Sequence, residues 1–96
     1  MADARETAER HAQDVVDANF GRLMQDFAGD AMNEVMALGG PPQPTTKYEI
    51  LSEVADGDAV VFGVRYSNDT EALELTTSWK QYDGVWKVFK VEKAGT

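Results

Sequence analysis

The chain predicts an α+β domain in which N-terminal helices pack on a curved four-stranded antiparallel sheet, and three observations carry that prediction. Apolar residues recur at helical spacing before residue 39 and alternate at strand spacing after residue 46. All three prolines fall in between, within Gly39-Gly40-Pro41-Pro42-Gln43-Pro44, a run that neither a helix interior nor a central strand tolerates. Asp56-Gly57, Asn68-Asp69 and Asp83-Gly84 then punctuate the second half as hairpin signals. The expected organisation is a single domain, 1–96, with a helical layer (1–38), a Pro/Gly crossing (39–46) and an antiparallel meander (47–93).

The first helix is expected from Asp3 to Ala18. Ala4, Ala8, His11, Val15 and Ala18 form its inward stripe, widened by Ala12 and Val16. Arg5–Glu9 and Glu6–Arg10 are oppositely charged pairs one turn apart on the solvated side. Asn19 is positioned to cap a second, shorter helix carrying Phe20, Leu23, Met24 and Phe27. Gly29-Asp30 reads as a stop and a new cap. A third helix then presents Ala31, Val35 and Leu38, with Met32 and Met36, to the core.

Four strands follow, at roughly 47–55, 59–67, 71–82 and 85–93. A two-residue loop at Asp83-Gly84 pairs Trp79 with Val88, and one at Asn68-Asp69 pairs Val64 with Leu73. One face then collects Val60, Phe62, Val64, Tyr66, Leu73, Leu75, Thr77, Trp79, Trp86 and Val88. Being strongly apolar, it is the face that meets the helices. The other face is mixed and holds Val61, Tyr82, Val85, Phe89 and Val91 among Thr76, Ser78, Lys80 and Lys87. For the first strand, a three-residue loop at Asp56-Gly57-Asp58 is expected, which turns Tyr48, Ile50 and Val54 inward. A two-residue loop would turn Glu49, Leu51 and Glu53 inward and bury carboxylates without partners.

Composition excludes several function classes. Lys plus Arg is 9 against 17 for Asp plus Glu, a net charge of −8, so a nucleic-acid or anionic-lipid partner is not expected. Cysteine is absent, which removes disulfides and thiolate chemistry. With one histidine and no paired ligand spacing, no metal site and no cofactor are expected. No apolar run approaches the ~20 residues of a membrane span. Residues 1–10 carry acids without an apolar stretch, so the expected location is cytoplasmic.

The segment Val15-Val16-Asp17-Ala18-Asn19-Phe20, leading to Gln25-Asp26-Phe27-Ala28, and the closing Asp83-Gly84-Val85-Trp86-Lys87-Val88 resemble the nuclear-transport-factor-2-like superfamily, whose fold is a cystatin-like cone. The resemblance covers most of the chain. It implies an apolar pocket between helices and sheet and a homodimer across the outer sheet face. In its enzymes, which resemble ketosteroid isomerase, scytalone dehydratase or limonene-epoxide hydrolase, acids and bases sit inside the cone. Membership implies a pocket, not a reaction.

On that frame Phe20, Phe62, Tyr66, Thr77, Trp79 and Trp86 are the candidate pocket residues, although aromatics at strand alternation more often make ordinary core. Thr77, central on the inward face, either bonds backbone or marks the pocket floor. No carboxylate falls in the middle of that face, so no catalytic residue is assigned; His11 and Asp26 are the candidates. His11 reads as a base or donor toward a ligand, or as a core-edge residue with one nitrogen in water. Asp14 and Asp17 flank the helical stripe and are expected in solvent. Val61, Tyr82, Val85, Phe89 and Val91 are the candidate dimer face. The leading expectation is a homodimeric domain that binds a small apolar ligand. Its rivals are a small isomerase, dehydratase or hydrolase acting on an apolar carbonyl or epoxide, and a protein-interaction module with a filled core.

Overall fold

The structure, a computed structural model, describes residues 3–39, 42 and 44–93. Gly40, Pro41 and Gln43 of the crossing lie outside the described residues. Helix α1 spans Ala4–Val16 and starts where the Asp3 carboxylate accepts the Glu6 N–H at 2.8 Å. It ends because Ala18 turns left-handed, at φ 59°, and reverses the chain. Helix α2, Phe20–Leu23, continues as a 3₁₀ turn over Met24–Asp26, and α3 spans Ala31–Ala37. Asn19 and Asp30 occupy the N-cap positions without making side-chain cap bonds, so these short helices depend on packing for their stability.

Strands β1 (Lys47–Asp56), β2 (Ala59–Ser67), β3 (Ala72–Tyr82) and β4 (Val85–Lys93) form an antiparallel sheet in the order β1-β2-β3-β4. At the β3–β4 turn Asp83 and Gly84 both have positive φ, 53° and 82°, as the expected tight hairpin requires. Trp79 pairs with Val88 as expected. The β2–β3 register differs from the expected one by two residues: Val64 pairs with Leu75 and Phe62 with Thr77. The cause is Asn68. Its Oδ1 accepts from the Thr70 and Glu71 N–H groups, at 2.9 and 2.8 Å, which builds a four-residue loop in place of a two-residue turn. A two-residue slip restores side-chain parity, so the inward face is as deduced.

Parity is broken elsewhere by bulges. Between Ile50 and Ser52 the β1–β2 ladder skips Leu51, and between Val88 and Lys90 the β3–β4 ladder skips Phe89. The β1–β2 loop has two residues, Asp56 pairing with Ala59, and not three. Tyr48 and Ile50 still lie opposite Tyr66 and Val64, but beyond the bulge Glu53 shares the face of Phe62. Val54 is turned outward and 57% exposed, against expectation. The feared unpartnered carboxylate is avoided because Arg5 of α1 meets Glu53 at 3.1 Å, in reach of solvent. On β4 the bulge brings Val91 opposite Thr77 and buries it to 4% exposure, so Val91 belongs to the core and not to the outer face.

The core lies between α1, α3 and the inward sheet face. Ala4, Ala8, Ala12 and Ala31 bring the helices close to Phe62, Val64, Leu75, Trp79 and Val88. The free edge of β4 is partly covered. The Ala28 N–H donates to Val88 O at 2.8 Å, and the Val91 N–H donates to Glu34 Oε1 at 2.7 Å. These two bonds fasten the segment after Asp26, and α3, to the sheet. Among the described residues no helix is long and apolar enough to cross a membrane.

Candidate functional site

The reversal at Ala18 folds the 3₁₀ turn back along α1 and sets Asp26 beside His11. His11 Nδ1 lies 2.7 Å from Asp26 Oδ2, while Arg10 donates to Asp26 Oδ1 at 2.6 Å. Arg10 also donates to Asp14 at 2.7 Å, and Arg22 approaches the same Asp14 oxygen at 3.6 Å. His11, Asp14 and Asp26 are 6%, 4% and 7% exposed. Asp14 is therefore not the solvated residue that the sequence suggested, whereas Asp17 is exposed. Burial works to raise the Asp26 carboxyl, but the hydrogen bonds and charges of His11 and Arg10 outweigh it and hold it below the usual range. Asp26 is thus an ionised carboxylate inside the protein, tolerated because its acceptor oxygens are occupied.

The His11 ring is clamped edge-on by Phe27, 5.4 Å away, and Trp79, 5.3 Å away. Beside it opens a cavity of about 290 Å³, roofed by α2, the 3₁₀ turn and α3 and floored by the sheet. Val15, Leu23, Val35, Leu75 and Val91 supply apolar wall, and Phe20, Met24 and Met36 form an exposed rim. Three polar side chains, His11, Tyr66 and Thr77, reach its lining. Thr77 is already committed, since its Oγ1 accepts from Trp79 Nε1 at 3.1 Å and faces Phe62 O at 3.4 Å. Burial first, and neighbouring Tyr48 second, push the Tyr66 phenol well above its ordinary pKa, so it stays protonated.

Of the pocket residues picked from sequence, Phe20, Tyr66 and Thr77 line this cavity. Phe62 and Trp79 do not: they are sealed in the core beneath it. Trp86 lies away from it, bordering a shallow polar depression with Asp58, Lys80 and Tyr82. His11 and Asp26, separately noted in the sequence, are brought into contact. Arg10, expected on the solvated side with Glu6, instead bridges Asp14 and Asp26, and its i,i+4 spacing to Asp14 is the sequence signal for that role. A polar groove of about 490 Å³ lies by the β2–β3 loop. Lys47 and Arg65 line it together with Glu49, Asp69 and Glu71, so its charge is mixed with a slight acidic excess. Among the described residues no group of three or more acidic or imidazole side chains could hold a metal. On the outer face Tyr82 pairs with Val85, Lys80 lies 5.7 and 4.8 Å from the Tyr82 and Phe89 ring centres, and Val61, opposite Ser78, has the same parity. Comparison with family models, with curated proteins and with solved structures finds no match to this chain.

Proposed function

We propose that the domain binds a small apolar ligand in the cavity between its helices and sheet. The observation that carries this reading is the cavity itself: about 290 Å³ of space with an almost wholly apolar wall and His11 and Tyr66 as its available polar groups. Sites of this size and makeup commonly hold one small molecule, oriented by a few polar contacts. The cavity also accords with what a nuclear-transport-factor-2-like resemblance implies. The test is a thermal-unfolding titration with tetralin, a hydrocarbon small enough to enter. A ligand at ~100 times its Kd adds about 2.7 kcal/mol, several degrees in Tm. Val35→Trp, which fills the cavity from α3, abolishes that rise while the fold persists. An unchanged Tm in the natural chain overturns the reading.

The His11–Asp26 contact specifically favours a second reading, an isomerase, dehydratase or hydrolase acting on an apolar carbonyl or epoxide. An imidazole backed by a carboxylate is a competent general base. Activity unchanged by both His11→Ala and Asp26→Asn removes it. The outer face, with Val61, Tyr82, Val85 and Phe89 but without Val91, is offered as a homodimer surface. A monomer by light scattering at micromolar concentration dismisses that assignment.

A further inference from the structure

The two nitrogens of His11 meet different surroundings. Nδ1 faces the Asp26 carboxylate at 2.7 Å. A carboxylate only accepts, so in the neutral ring the proton sits on Nδ1 and the lone pair on Nε2. Nε2 joins no hydrogen bond among the described residues. With Nδ1 taken up by Asp26, Nε2 is the ring nitrogen left to meet the cavity that His11 lines. Reorientation is opposed from three sides. Phe27 and Trp79 clamp the ring. Arg10 fixes Asp26 through Oδ1, and Asp14 fixes Arg10.

With the imidazole neutral, the cavity presents an acceptor beside the Tyr66 phenol in a largely apolar wall. We propose that its ligand is an apolar alcohol whose hydroxyl donates to Nε2 of His11. This rests on the ligand-binding reading and narrows it. An ether or hydrocarbon leaves the acceptor unpartnered, and an anionic head group meets a lone pair. The protonated Tyr66 phenol supplies a donor for any additional ligand oxygen. Asp26, Arg10 and Asp14 act as positioning residues, since they touch the ligand only through His11.

The test compares tetralin, 1-hydroxytetralin and 1-methoxytetralin by calorimetry at about pH 9, above the ordinary imidazole range. The alcohol is expected to bind about tenfold tighter than the ether, the ratio that one hydrogen bond supplies. Asp26→Asn gives the sharper readout. Arg10 only donates, so the amide oxygen stays against it and the amide nitrogen turns to His11. It then donates to Nδ1, and the imidazole proton moves to Nε2. Ether and alcohol now find the same donor, and their ratio falls to about one. His11→Phe, which keeps a ring and removes both nitrogens, also brings the ratio to about one while tetralin binding persists. Equal alcohol and ether affinities in the natural chain overturn the inference and leave the cavity reading standing. A preference that survives Asp26→Asn or His11→Phe overturns it as well. Failure of all three compounds to bind overturns both readings.

Discussion

Asp26→Ala tests whether the buried network is structural as well as functional. The change deletes one acceptor shared by Arg10, at 2.6 Å, and His11, at 2.7 Å. A hydrogen bond to a charged group contributes about 1.5–3 kcal/mol. The Arg10 side chain is 30% exposed and keeps Asp14, so water offsets most of its loss, leaving about 1 kcal/mol. His11 has no such recourse. Its Nδ1 is left unpartnered between Phe27 and Trp79, costing about 1–3 kcal/mol. The sum, about 2–4 kcal/mol, lowers Tm by roughly 10–30 °C in a domain of this size. Urea unfolding followed by the fluorescence of buried Trp79 reads it, with an unchanged m-value confirming a native-state effect. In the double variant His11→Phe/Asp26→Ala neither group is orphaned, and at least about 1 kcal/mol is regained over additivity. A single-variant loss below about 0.5 kcal/mol, or strict additivity, refutes the reasoning.

Acid should expose the same carboxylate. Because Asp26 is held below its unfolded-state value near ~3.9, its contribution is complete above that pH and lost as pH falls toward the folded pKa. Stability measured between about pH 5 and pH 3 therefore falls more steeply in the natural chain than in Asp26→Ala; parallel curves contradict this. Glu34→Ala removes the acceptor of the Val91 N–H at 2.7 Å and costs about 1–2 kcal/mol, with faster exchange of the Val91 amide. Gly63→Ala places a Cβ 2.6 Å from Ser52 Oγ, which must swing away and release the Gly63 N–H that it accepts at 3.2 Å. A loss of about 1–2 kcal/mol follows, and Ser52→Ala/Gly63→Ala recovers the steric part of it. Ala18→Gly relieves the left-handed backbone at φ 59° and stabilises by about 0.5–1 kcal/mol in the same urea assay.

The site was half legible. His11 falls on the inward stripe of α1 and Asp26 on a short amphipathic turn, both visible from spacing alone. Their contact depends on Ala18 adopting a conformation that alanine disfavours; the helix break at Ala18–Asn19 is legible in the sequence, but the left-handed turn that sets its direction is not. Asp14 was misplaced for a related reason. Its burial is tolerable only because Arg10 and Arg22 converge on it, and Arg22 arrives from a different helix.

By itself the sequence determined the layers, the strand limits and the inward side of β2 and β3. Those depend on periodicity, and a period of two is indifferent to the two-residue slip that Asn68 introduces. Tertiary structure alone decided what a single extra residue does. The bulges at Leu51 and Phe89 invert parity, turning Val54 out, Glu53 toward Arg5, and Val91 into the cavity wall. No residue type marks those positions. On β4 the bulge lets both halves of the strand bury an apolar side chain, Val88 before it and Val91 after it, and that balance exists only after the chain has folded.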